Sequence, residues 1–260
     1  MSDAPTLVLA ERPADRVLCL ILNRPEKRNA LSKAVLGRLA ERLAAAEADD
    51  GVACVVLAGA GPAFSAGADI KDMMERGVDS YLDPKRLAAW TAIERFAKPL
   101  IGAVNGYAFG GGCELALMCD LLVAAEGARF GLPEVTIGAI PGDGGTQRLP
   151  RAIGPARAAL MVLTGEPVDA ATAECWGLVA EVVPGPDCLP RALEIAGVIA
   201  GRAPRALALA KAAMRRAAEL PLSRGLLFER DASCRAFATE DRAEGMAAFL
   251  EKRTPAFRGR

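Results

Sequence analysis

The chain has 260 residues, with 32 basic and 32 acidic side chains and no histidine. Without imidazole there can be no Ser-His-Asp triad, no Cys-His dyad and no histidine-dependent zinc site. Proton transfer near neutrality then falls to tuned carboxylates, cysteine, lysine, tyrosine or backbone dipoles. Zero net charge argues against sequence-independent binding of nucleic acid, which needs a basic field. The 25 arginines against 7 lysines read as a compositional habit.

Seven cysteines, at 19, 54, 113, 119, 175, 188 and 234, form no C-x-x-C pair and lie mostly in apolar runs. They point to reduced thiols in a cytoplasmic protein. Met1 to Glu11 includes Asp3 and lacks the basic and apolar regions of a signal peptide. The uncharged stretch Pro99 to Cys113 is interrupted by Asn105 and several glycines, too polar for a membrane span.

In chain order, Val17–Leu22 is a short apolar run stopped by Asn23-Arg24-Pro25, the pattern of a buried strand followed by a turn. Ser32 is placed to cap a helix whose apolar positions Val35, Leu39, Leu43 and Ala46 recur at three- and four-residue steps until Asp50-Gly51. Ala53–Ala58, Pro99–Val104 and Asp120–Ala124 read as further buried strands. Asp79 to Lys85 is expected to be a mobile loop before the helix carrying Trp90. From Leu189 to Leu250 only helical periodicity is present, punctuated at Pro204, Pro221 and Glu240-Asp241. The fold class is α/β, built of repeated ββα or βαβ units, with a helical region after them. The expected division is 1–187 for the core and 188–260 for the helices.

Two glycine-bearing turns follow apolar segments: Phe64-Ser65-Ala66-Gly67-Ala68-Asp69-Ile70-Lys71, and Asn105 through Gly110-Gly111-Gly112-Cys113-Glu114. Neither is a phosphate loop, because the second lacks Lys-Ser/Thr and does not fit G-x-G-x-x-G. Each alone is consistent with a tight connection. Together, one N–H from each could converge on an oxyanion, a device that needs no side chain. Glu114 follows the triple glycine, and Glu134 follows Gly131-Leu132-Pro133. Either could be a solvated helix cap. In apolar surroundings both carboxyl pKa values would instead rise, and two such groups can divide acid and base roles.

Four segments resemble the crotonase (enoyl-CoA hydratase/isomerase) superfamily: Leu22 to Leu31, the Ala66-Gly67-Ala68-Asp69-Ile70 turn, Gly110 to Glu114, and Pro133-Glu134 with Pro141 to Arg148. The tail Arg242 to Arg253 is similar to that family's last helix, so the likeness covers nearly the whole chain. The resemblance implies a crotonase-like spiral of ββα repeats with a C-terminal helical trimerisation region, assembled as a homotrimer or homohexamer. It also implies an acyl-CoA thioester substrate, no separate cofactor, no metal, and no nucleic-acid or membrane partner. The N–H groups of Ala68 and Gly111 would hold the thioester oxygen. Ala66, Asp69, Ile70 and Lys71 would line the CoA path, with Lys27, Ala30 and Gly142 bordering the channel and Phe249 and Lys252 reaching CoA from α-helical tail residues.

The hydratases of that family resemble this chain in carrying both glutamates, which favours hydration: Glu114 would activate water for attack at Cβ, and protonated Glu134 would deliver a proton to Cα. Double-bond isomerisation, and a non-catalytic RNA-binding relative, are the alternatives. Asp143 stands where the family commonly has a small residue; it reads either as a cap for the helix near Gly144 or as a third carboxylate acting on the pocket. Cys113 lacks a histidine base and reads as a packing residue. Met73, Met74, Trp90 and Phe109 line the acyl pocket or belong to the core, and Tyr107 is structural.

Overall fold

The computed structural model describes residues 6–260. The absence of a signal peptide read from Met1 to Glu11 therefore falls partly on residues 1–5, which lie outside those described. Among the described residues no helix is long and apolar enough to cross a membrane.

The chain winds as a spiral in which paired strands feed two sheets. The elements up to the first glycine turn are β1 (Val8–Ala14), β2 (Val17–Leu22), α1 (Lys33–Ala48), β3 (Cys54–Gly59) and β4 (Ala63–Ser65). There follow α2 (Ile70–Arg76), α3 (Asp79–Leu82), α4 (Pro84–Arg95), β5 (Leu100–Val104), β6 (Tyr107–Phe109), α5 (Gly111–Ala116), β7 (Leu121–Ala125) and β8 (Arg129–Gly131). Then come α6 (Gly145–Ile153), α7 (Pro155–Thr164), β9 (Val168–Asp169), α8 (Ala170–Trp176), β10 (Glu181–Val183) and α9 (Cys188–Ala200). The chain ends with α10 (Pro204–Ala217), α11 (Leu222–Phe237) and α12 (Glu240–Glu251).

The larger sheet has six strands in the order β1-β2-β3-β5-β7-β10, parallel except for the β1–β2 pair. Its central strands are covered on both faces, which is why they appear in sequence as unbroken apolar runs rather than alternating ones. The smaller sheet runs β4-β6-β8-β9, with the first three strands parallel. Thus β3–β4, β5–β6 and β7–β8 are successive turns of one spiral. Each passes through the large sheet and then the small one.

Ser32 caps α1 as expected, its hydroxyl accepting from the Val35 N–H, and Val35, Leu39, Leu43 and Ala46 are buried. The expected loop at Asp79–Lys85 is instead a helical turn, α3, followed directly by α4. Asp83 explains the difference. Its carboxylate accepts from the Lys85 and Arg86 N–H groups as the α4 cap and is paired with Lys33 and Arg76 at 2.5 and 2.6 Å. The helical region expected over Leu189–Leu250 is present as α9 to α12, and α9 packs on the strands of the large sheet, with Ala192, Ala196 and Ala200 turned inward. Helix α10 is tied to the core by buried Lys211, whose Nζ donates to the Lys98 carbonyl and meets Asp120, both at 2.7 Å.

Candidate active site

The site forms where β4, β6 and β8 end. These are adjacent parallel strands, so their following turns lie side by side at one sheet edge. The β4 turn carries Ala68, the β6 turn leads into Gly111, and the β8 turn becomes a 3-10 helix over Pro133–Ile137 that carries Glu134. Residues 68, 111 and 134 are far apart in the chain and neighbours in space because the spiral stacks equivalent turns.

Backbone contacts hold the two donor turns together. Gly67 has φ +95° and a Cβ there would stand 2.6 Å from the Phe109 carbonyl oxygen. Gly112 permits a second close approach, since its Cβ would meet the Ser65 carbonyl oxygen at 2.3 Å. A side chain at either position would push the turns apart. Buried Asn29 fixes the first turn from behind, donating to the Ala60 and Ala63 carbonyls, while the Ser65 hydroxyl donates to the Asn29 carbonyl and accepts from the Gly67 N–H. The Leu31 N–H donates to the Gly67 carbonyl at 2.8 Å.

A Cβ built on Gly111 would lie 3.6 Å from the Ala68 nitrogen. The two nitrogens are therefore neighbours. Gly111 is the first residue of α5, where a helix leaves its N–H unpaired, and the Ala68 N–H has no protein acceptor among the described residues. Two donors without acceptors among the described residues thus stand side by side. That geometry suits an oxygen gaining negative charge.

Glu114 sits one turn into α5 and is 2% exposed, so it is not a solvated cap. Its Oε1 accepts the N–H groups of Asp143 and Gly145 at 2.7 and 2.8 Å. Burial raises its pKa to about 7, with the charges of Asp143 and Glu134 adding to the rise and the two N–H donors opposing it. Glu134 Oε1 lies 3.0 Å from where a Gly110 Cβ would stand, and its buried Oε2 has no partner among the described residues. Burial, followed by the Asp143 charge, raises the pKa of Glu134 as well. The Glu114 carboxyl is thus oriented by backbone, whereas one oxygen of Glu134 is left without a partner among the described residues.

Asp143 does not cap α6. Gly144 is the N-cap and makes no side-chain bond, while the Asp143 carboxylate is paired with Arg86 from α4. Sequence reasoning missed Arg86. The available signal was the rule that a carboxylate expected in a dry site needs a cation, but nothing in the spacing identified which of 25 arginines supplies it.

The other expected residues are spread along the site's approaches. Asp69 pairs with Arg24 at 3.4 Å, which joins the Arg24–Ala30 turn to the β4 turn. Ala66, Ile70 and Lys71 are exposed beside it, with Lys27 exposed and Ala30 half-buried on the facing turn. Gly142 packs under Tyr81, where a Cβ would meet the ring at 2.6 Å. Phe249 and Lys252 are exposed at the end of α12, and among the described residues no hydrogen bond links them to these turns. Cys113 is fully buried and burial raises its thiol pKa, which fits packing. Met74 is 81% exposed and so is not core, whereas Trp90 is buried. Tyr107 stacks on Phe109 with centroids 5.1 Å apart.

Residues 13–260 match the family model described as enoyl-CoA hydratase/isomerase. The chain belongs to that family. It is 49% identical to the 2,3-dehydroadipyl-CoA hydratase of Escherichia coli K12, over 94% of this chain and 96% of the relative. It is 42% identical to a mitochondrial enoyl-CoA hydratase of Pongo abelii, over 97% and 87% of the two chains. The fold superposes on an enoyl-CoA hydratase from Bacillus anthracis with TM-score 0.93, 39% identity, and coverage of 98% and 100%.

Proposed function

We infer that this protein is an enoyl-CoA hydratase, a hydro-lyase that reversibly adds water across the 2,3 double bond of a 2-enoyl-CoA thioester to give the 3-hydroxyacyl-CoA. The observation that carries this reading is the placement of two backbone N–H donors, without acceptors among the described residues, beside buried Glu114 and half-buried Glu134 at one sheet edge. The Ala68 and Gly111 N–H groups take the thioester oxygen. As enolate charge develops there, electron density leaves Cβ, and each such donor is worth roughly 10²–10³-fold in rate.

Glu114 is the general base. Its Oε1 is fixed by two N–H groups, so its other oxygen receives the proton of the water attacking Cβ, and a pKa of about 7 suits proton transfer near neutrality. Glu134, whose buried Oε2 has no partner among the described residues, holds its proton and passes it to Cα. In the reverse direction the roles exchange. Asp143 is engaged by Arg86 rather than free as a third acid, which favours hydration over double-bond isomerisation.

Ala66, Asp69, Ile70, Lys71, Lys27, Ala30 and Gly142 border the CoA channel in this reading, with Lys252 contributing from α12. No cofactor is called on, because CoA is part of the substrate. A groove of about 560 Å³ between α11, α12 and the tail, with Phe237, Met246, Phe249 and Leu250 exposed along it, fits assembly as a homotrimer or homohexamer. All seven cysteines are free, consistent with the cytoplasm. The test follows the enoyl-thioester absorbance with crotonyl-CoA and 2,3-dehydroadipyl-CoA. The band is expected to fall with at least one of them; persistence with both, alongside a shift of the double bond in a 3-enoyl-CoA, would reverse the reading in favour of isomerisation.

A further inference from the structure

Beside the acid–base pair lies an ion pair that the reaction as drawn does not use. The Asp143 carboxylate is bound by the Arg86 guanidinium, and the two side chains are only 8% and 14% exposed. The same residue's N–H donates to Glu114 Oε1 at 2.7 Å, so the turn that carries the ion pair also holds the base. Three elements secure this turn. Tyr81 of α3 packs on Gly142, and Arg86 of α4 has its guanidinium carbon 5.1 Å from the Tyr81 ring centroid and 5.9 Å from that of Trp90. Arg148 of α6 donates to the Asp143 carbonyl at 3.1 Å while holding Glu94 at 2.6 Å.

A buried ion pair contributes little net stability, because removing both charges from water offsets their attraction. Its position matters more. Asp143 places a third carboxylate next to Glu114 and Glu134. The groups facing it are Arg86 and Tyr81 from the α3–α4 side, Arg148 from α6, Glu114 from α5 and Glu134 from the 3-10 helix. Arg86 is the cation bonded to that carboxylate, and Arg148 adds a weaker attraction.

We propose that Arg86 and Asp143 are a positioning pair for Glu114: Arg86 anchors the 142–144 turn so that the Asp143 N–H stays on the base, and it neutralises the Asp143 charge beside the two glutamates. The proposal rests on the reading of Glu114 and Glu134 as base and acid. Its two parts are separable, because the first acts on turnover and the second on the pH at which the base ionises.

The experiment measures kcat, KM and pH profiles with crotonyl-CoA for Arg86→Met, Asp143→Asn and the double variant, with melting temperatures as a control on folding. Asp143→Asn keeps the N–H but leaves Arg86 an uncompensated cation, so the acid limb of kcat/KM is expected to move to lower pH by about one unit. The double variant removes both charges and is expected to return most of the way to the wild-type limb. Arg86→Met is expected to lose kcat by roughly tenfold or more, with KM little changed, because the turn holding the base is released. The proposal is overturned if the Asp143→Asn limb superimposes on wild type, or if losses in all three variants merely follow lost folded protein. Full turnover in Glu114→Gln would instead remove the acid–base reading itself, a distinct failure.

Discussion

At Glu114, burial and hydrogen bonding pull proton affinity in opposite directions. Enclosure raises the pKa, two backbone N–H groups oppose the rise, and the result is about 7. Because the chain has no histidine, the acid limb of kcat/KM is predicted to reflect the coupled glutamates, with activity falling as pH drops through about 7. A limb confined to the ordinary carboxylate range would contradict this. The same shift bears on stability. A carboxyl whose folded pKa lies above its unfolded value holds its proton more tightly in the native state, so the cost of ionising it is absent below about pH 4 and full above about pH 7. Glu114→Gln is therefore predicted to melt at or above wild type at pH 9, by an advantage on the order of 3 kcal/mol that shrinks to less than about 1 kcal/mol at pH 5. Thermal melts at the two pH values check it.

Among the elements, the glycine turns do the positioning, and each glycine has a steric reason. Gly112→Ala forces a Cβ to 2.3 Å from a backbone oxygen, and neither β4 nor α5 can retreat without separating the Ala68 and Gly111 N–H groups proposed as oxyanion donors. The substitution is predicted to cost about 1–3 kcal/mol, measurable by denaturant melts, and to depress kcat more than KM. Much of this was legible in the sequence. Val17–Leu22, Cys54–Gly59, Leu100–Val104 and Leu121–Ala125 announce themselves as apolar runs because they are covered on both faces. Strand β1 was not legible: it is an edge strand with polar, exposed residues and Pro13, which a central strand would exclude. Strands β4, β6, β8 and β9 are two or three residues long, too short to show a period. Ala68 and Gly111 as the donors came from the family resemblance, whereas the two glycine turns, Glu114 and Glu134 could be singled out because their local chemistry is unusual. Arg86 could not, since its role exists only once α4 is laid against the 142–144 turn.

For the whole molecule, the spiral converts three equivalent turns into one site, and the C-terminal helices leave an apolar face uncovered. Phe249 and Leu250 are 82% and 80% exposed on a single chain. On the proposed trimer or hexamer assembly, Leu250→Asp is predicted to give single 27.1 kDa chains, read by light scattering. Unchanged mass would remove that surface as the interface.

The account rests on two glutamates carrying the proton transfers that histidine carries elsewhere. Its most direct test is the steady-state hydration rate of crotonyl-CoA by wild type, Glu114→Gln and Glu134→Gln, each confirmed as folded. Both variants are predicted to lose roughly 10²–10⁴-fold or more in kcat. Near-wild-type turnover in either one would contradict the assignment.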